Sequence, residues 1–277
     1  MLVFLGGYDL LLLFVSFHML KTNLYTLWMS KRIALVLRGH IRDAFSNDLL
    51  RQFLTQMSTD PRLCVHLYIQ TWQKNDASPN CSWRKLDDEP SLEVTSDVLL
   101  SYIPISAYRT MILNEENAVL VGDVDGMIGG TSKLGWKRMW YGLFTIMNVI
   151  RNGSFVYDSV VSLRFDFFGS YVSGRSLDDF GRVVTTDELV EWVVASETQR
   201  ISFLTEHACT GIDNCYIGPA DQIFTLCACF HFNLMQTCCS VAPEFNQEKI
   251  VFNVSKIIHT QSTSHVANDK DEQHISK

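Results

Sequence analysis

Two short apolar runs with an amphipathic segment between them constrain this chain more than any other feature. Residues 31–37 (KRIALVL) read as a strand buried on both faces. Leu49, Leu50, Phe53, Leu54 and Met57 then recur at helical spacing within 47–57. A second buried strand follows at 64–69 and ends in Gln70-Thr71-Trp72. Strand, helix and strand in succession make a βαβ unit, whose two strands run parallel.

The alternation continues along the chain. A short helix is expected at 96–102, strands at 108–113 and 118–121, and the strongest helix at 135–150. There Trp136, Met139, Trp140, Leu143, Met147 and Ile150 line one face. A β-branched apolar run within 157–169 gives the central strand, and Gly169 ends it. Thr185-Thr186-Asp187-Glu188 is an N-cap pattern opening a helix to Ser196. Strands at 200–204 and within 211–219 and a helix from Pro219 to Met235 complete the reading. The expectation is one Rossmann-like α/β domain over 31–255 with a mainly parallel sheet flanked by helices. With 47% hydrophobic and 19% charged residues among 277, the chain can bury a core of that size.

Ligands of such sheets bind at the carboxyl ends of the strands, so the residues there are the candidates. After the first strand comes Arg38-Gly39-His40-Ile41-Arg42-Asp43, a glycine-containing turn leading to a helix expected near Ala44. Backbone N–H groups and a helix N-terminus in that position can face a diphosphate, and Arg38 and Arg42 add two cations. A solvated turn with surface arginines is the plainer alternative. Arg164 and Asp166 end the central strand, where period-2 alternation would put both side chains on one side of the sheet. They are placed either to hold a metal ion or a phosphate-bearing substrate, or to form a strand-end salt bridge. Trp72 is either a core cap or a platform for a base. Lys137 and Tyr141, four apart on one helix, share a face that could meet the cleft.

Other features narrow the possibilities. Gly122-Asp123-Val124-Asp125-Gly126 spells D-x-D, a pattern that can hold a divalent cation against a nucleotide diphosphate, yet it is also ordinary turn chemistry. Net charge is −7 without a long basic patch, which argues against an extended nucleic-acid surface. The eight cysteines lack the paired C-x-x-C spacing of a zinc site. Residues 1–30 contain an apolar run, 2–20, interrupted by Asp9. Both a membrane signal-anchor and a dispensable extension fit it, the first keeping the domain on the cytoplasmic side. Residues 256–277 are polar and read as a frayed, disordered tail.

Six segments taken together carry a resemblance: IALVLRGHIR, YIQTW, SWR at 82–84, GWKRMWYG, VVSLRFDFF and GIDNCYIG. In this order and spacing, over 31–255, they resemble a group of glycosyltransferase-like proteins of giant DNA viruses and microbial eukaryotes. The resemblance implies a GT-A-type fold that binds a nucleotide-sugar donor and transfers the sugar to a hydroxyl acceptor. It implies Asp166 as the ligand of Mn²⁺ or Mg²⁺, Arg164 as its cationic neighbour, and Arg38, Gly39, His40 and Arg42 at the turn that meets the nucleotide. Thr71 and Trp72 join them at the end of the second strand, and Asp213, Lys137 and Tyr141 are the catalytic candidates, Asp213 as base. The central motif is Arg-x-Asp where well-studied glycosyltransferases have D-x-D, and the Asp123/Asp125 pair precedes the long helix instead of following it. A catalytically degenerate binding or scaffold protein and a nucleotidyl transferase are the competing readings.

Overall fold

The computed structural model describes residues 30–73, 93–103, 108–114, 118–128, 131–169, 182–205, 213–241 and 247–275. Strand β1 (Lys31–Arg38), helix α1 (Leu49–Thr59) and strand β2 (Leu63–Trp72) form the βαβ unit, with β1 and β2 parallel from Lys31↔Leu63 to Arg38↔Gln70. Helix α2 (Ser96–Tyr102) and strand β3 (Tyr108–Asn114) follow, then a two-stranded ribbon, β4 (Met127–Ile128) with β5 (Thr131–Ser132). Helix α3 (Lys133–Asn152) leads to β6 (Ser159–Arg164), which pairs parallel with β1. Helix α4 (Thr186–Ala195), strands β7 (Ser202–Phe203) and β8 (Cys215–Gly218), and helices α5 (Ala220–Val241) and α6 (Gln247–Ile275) complete the chain.

The main sheet has the order β3-β2-β1-β6-β8-β7. Its first four strands are parallel, and β8 is antiparallel to both β6 and β7. The protein is therefore α/β with a mainly parallel mixed sheet, and alternation along β1 shows why both faces are covered. Ile33, Leu35 and Leu37 enter one core with Phe53 and Met57 of α1 and Leu189 and Val193 of α4. Ala34 and Val36 enter the other with Trp140 and Met147 of α3, Phe230 of α5 and Val251 of α6. A strand apolar at every position requires such a two-sided burial.

Several boundaries differ from the sequence expectation. Residues 118–121 are not a strand, and the short edge hairpin lies further on, at β4 and β5. Helix α1 starts at Leu49, not near Ala44, because 41–48 are taken up by turns closed by Ala44 N–H to Ile41 O (2.8 Å) and Ser46 N–H to Asp43 O (2.9 Å). Helix α5 continues past Met235 and changes direction at Asn233 (φ −127°, ψ 38°). Helix α6 runs on through Ile275, across the segment whose polarity suggested a frayed tail. No proline or glycine interrupts 247–275, so nothing in the backbone stops the helix. Among the described residues no helix is long and apolar enough to cross a membrane. The apolar run at 2–20 and the SWR segment at 82–84 lie outside the described residues.

Candidate functional site

Parallel pairing sends the carboxyl ends of β1, β2, β3 and β6 to one edge of the sheet. Strand β8, being antiparallel, brings its beginning to the same edge, where the Arg164 N–H donates to Asn214 O at 3.0 Å. Arg38 and Arg164 are register partners on neighbouring strands. Two arginines widely separated in sequence are thus adjacent because each is the last residue of its strand.

Beyond Arg164 the strand does not continue. Phe165–Phe168 is a 3₁₀ turn, closed by Gly169 N–H to Asp166 O at 3.0 Å, so strand alternation does not govern Asp166. The turn buries Phe165, Phe167 and Phe168 in the α1 side of the core and holds Asp166 inside, 1% exposed. Arg164 reaches its carboxylate with both Nε (2.9 Å to Oδ1) and Nη2 (2.8 Å to Oδ2), a bidentate fork. The Arg42 guanidinium donates to Oδ2 from the β1–α1 loop. Burial on its own would raise the Asp166 carboxyl, but Arg164 and Arg42 outweigh it and hold it well below the usual carboxylate range. Burial also works against the charge on Arg164, which the carboxylates of Asp166 and Asp213 more than restore. Arg42 is pulled the other way: burial lowers it, the like charge of Arg164 adds to that, and Asp166 and Asp213 oppose it.

Arg38 has different company. It is 2% exposed, and its Nε donates to the Ser162 hydroxyl at 2.7 Å. Its Nη2 donates to the Asp213 backbone carbonyl, and the guanidinium lies over the Tyr216 ring, 5.4 Å from the centroid. All three partners are uncharged, and among the described residues no carboxylate pairs with this buried cation. The Asp213 carboxylate is instead 3.6 Å from Arg164 Nη1, with its side chain 13% exposed. Ser162 and Tyr216 escaped the sequence reading, although a serine inside Val-Val-Ser-Leu is a detectable signal: a polar side chain in a buried strand needs a polar neighbour.

The β1–α1 turn is shaped by its backbone. Gly39 has φ +87°, a left-handed conformation that glycine adopts freely. Its N–H is committed to Gln70, donating to the backbone carbonyl (3.0 Å) and the side-chain oxygen (3.2 Å), so it is not directed at a ligand. Gln70 in turn donates to Asn114 Oδ1 at 2.8 Å, tying the ends of β1, β2 and β3 together. Gly142 of α3 makes room for it, since a Cβ there would lie 2.4 Å from Gln70 Nε2. Arg42 is the one non-glycine residue with a left-handed φ (44°) among the described residues. Such a conformation costs on the order of 1 kcal/mol and collects at functional sites. With α1 starting seven residues after Arg42, its N-terminus does not open at this turn, contrary to the expectation.

The other candidates lie around this edge in different roles. Trp72 is 2% exposed, with His40 stacked at 6.0 Å between ring centroids and the Arg138 guanidinium 5.7 Å from its ring, so it caps the core and offers no open face to a base. Thr71 is wholly buried. Lys137 is buried and donates to the Val121 carbonyl, while Tyr141 packs against His231 at 5.6 Å, so the shared helix face meets neighbouring structure. Burial, reinforced by Lys133, lowers the Lys137 amine. Asp123 and Asp125 form a turn, with the Asp125 N–H on Asp123 Oδ1 (2.9 Å) and Lys133 Nζ on Oδ2 (2.6 Å).

This donor set does not fit Mn²⁺ or Mg²⁺ at Asp166. Both carboxylate oxygens accept from guanidinium groups, so a divalent cation would have to displace one arginine and sit against another. Among the described residues there is no group of three or more His, Cys, Asp or Glu side chains able to hold a metal ion. No protein-family model matches the sequence, and no curated protein matches it at a significant level. What the fold and the site define is an α/β protein with arginines and carboxylates interleaved at the carboxyl edge of its sheet.

Proposed function

We propose that the protein binds a nucleotide sugar at this edge and transfers the sugar to a hydroxyl acceptor, as a glycosyltransferase of GT-A type. The observation that carries the proposal is the gathering of Arg38, Arg42 and Arg164 at the carboxyl ends of adjacent parallel strands, with Asp213 beside them. Sugar transfer from a nucleotide sugar leaves a nucleoside diphosphate, and cations fixed in place stabilise the negative charge that grows on it. Asp166 serves this by positioning: it fixes the orientation of Arg42 and Arg164. Asp213 is the candidate base for the acceptor hydroxyl, since its carboxylate stands 3.6 Å from Arg164 in a looser pairing than that of Asp166. The resemblance of the six sequence segments to glycosyltransferase-like proteins supports the same reading.

A second reading is favoured by one observation, the close pairing of Asp166 with two arginines. If those pairs are purely architectural, the domain keeps the fold and acts as a binding module without transfer chemistry. Calorimetric titration with nucleoside diphosphates and their sugar conjugates tests the proposal, followed by assay of diphosphate release from any conjugate that binds. Binding with slow release in the presence of an acceptor extract supports transfer. Binding without release for every conjugate supports the module, and absence of binding overturns both.

A further inference from the structure

We infer that the phosphate-bearing ligand of this edge is held by guanidinium groups without a divalent cation, with Arg38, Arg42 and Arg164 standing where a metal ion would otherwise bridge the protein to a diphosphate. The inference rests on the function proposed above for the identity of the ligand, but its physical basis is independent of it.

The first ground is the state of the carboxylates. A divalent cation needs oxygen ligands directed at it, and Mg²⁺ needs them in near-octahedral geometry. Asp166 directs its oxygens to Arg164 and Arg42. Asp213 Oδ2 is 3.6 Å from Arg164, which also holds Asp166, so one guanidinium spans the two carboxylates a cation would need to bridge. Glu248 adds its negative charge to those that favour the charged form of Arg164.

The second ground is the charge on Arg38. A buried cation without a counter-ion is unfavourable unless something compensates it. The Ser162 hydroxyl, the Asp213 carbonyl and the Tyr216 ring orient the guanidinium but bring no negative charge. An anion arriving at the strand ends supplies it. The third ground is Arg42, a residue with left-handed backbone in the β1–α1 loop whose guanidinium reaches Asp166 at the strand ends. Guanidinium groups suit phosphate oxygens because their N–H groups form paired, charge-assisted hydrogen bonds.

The test uses the full chain, two probes and two buffers. A nucleoside diphosphate and inorganic pyrophosphate are titrated calorimetrically, once with EDTA and once with Mn²⁺ in excess of the probe. The inference expects dissociation constants that agree within about threefold between the buffers, a difference below 1 kcal/mol. It also expects Arg42→Gln to weaken binding in EDTA at least about tenfold, as loss of a charge-assisted bond does. A circular-dichroism melt of the variant shows whether it is folded. Should it not fold, the buffer comparison on the unaltered protein still decides the matter. Binding seen only with Mn²⁺ overturns the inference while leaving the nucleotide reading intact. Pyrophosphate binding in EDTA with no nucleotide binding in either buffer keeps the guanidinium site and overturns the nucleotide reading. No binding of either probe in either buffer overturns both.

Discussion

Replacing Asp166 by asparagine keeps the shape of the side chain and removes its charge, and the structure sets the size of the response. Asp166 is 1% exposed and engages two guanidinium groups, so its neutralisation leaves two cations facing an amide whose NH₂ group is itself a donor. Breaking a buried ion pair from one side costs about 3–5 kcal/mol. Arg164 keeps a second carboxylate, Asp213, at 3.6 Å, which argues for the lower end, about 3 kcal/mol. For a domain of this size that lowers the melting temperature by roughly 6–12 °C. Removing one of the stranded cations should recover part of the loss, so Asp166→Asn combined with Arg42→Gln is expected to be less destabilised than the sum of the single variants by about 1 kcal/mol. Acidity supplies a second signature. The folded carboxyl is held below its unfolded value, so its stabilisation is complete above about pH 4 and is lost as the pH falls toward the folded value. Asp166→Asn removes that part of the acid sensitivity. Melting curves of the two proteins from pH 7 down to pH 3 measure both effects. An Asp166→Asn protein that melts within about 1 °C of the parent at pH 7 would mean that the buried pairs contribute little, because one degree corresponds to well under 1 kcal/mol.

Three other changes give separate readouts. Gly142→Ala puts a methyl group 2.4 Å from the Gln70 amide, so urea titration should show a loss of about 1–3 kcal/mol, accompanied by weaker diphosphate binding as the Gly39 turn shifts. Trp72→Ala should cost about 3–5 kcal/mol because the ring fills the core end of β2, and Trp72→Phe, which keeps most of that volume, should leave diphosphate affinity within about twofold. At the opposite edge, Asp158 accepts from the Arg32 backbone N–H (2.7 Å) and pairs with its half-exposed guanidinium. Asp158→Asn should therefore cost about 1 kcal/mol in a melt and leave diphosphate binding unchanged.

Much of the architecture is legible in the residues. The all-apolar pattern of 31–37 demands cover on both faces, and the helices supply it from α1 and α4 on one side and α3, α5 and α6 on the other. The meeting of the Arg38–Arg42 turn with Arg164 and Asp166 follows from strand direction alone, because parallel neighbours end at the same edge. What pattern could not supply is how each side chain is used there. Alternation fails at Asp166 since three phenylalanines pull the chain into a 3₁₀ turn immediately after Arg164. Glycine at 39 suggested an N–H aimed at phosphate, but that N–H is consumed by Gln70, a contact fixed by β2 pairing and by the space left at Gly142. Trp72 could be a platform or a cap in sequence, and only the positions of His40 and Arg138 decide for the cap. The carboxylate of Asp166 looks available to a metal until the two arginines are placed around it.

A crystal structure of the protein with a nucleoside diphosphate in EDTA would show whether the arginines at the carboxyl edge of the sheet receive a diphosphate. Phosphate oxygens are expected within hydrogen-bond distance, about 2.7–3.2 Å, of the Arg38 or Arg42 guanidinium, with Asp166 still joined to Arg164. A diphosphate bound away from that edge, or bound there only after Asp166 has left the arginines to coordinate a cation, would contradict that expectation.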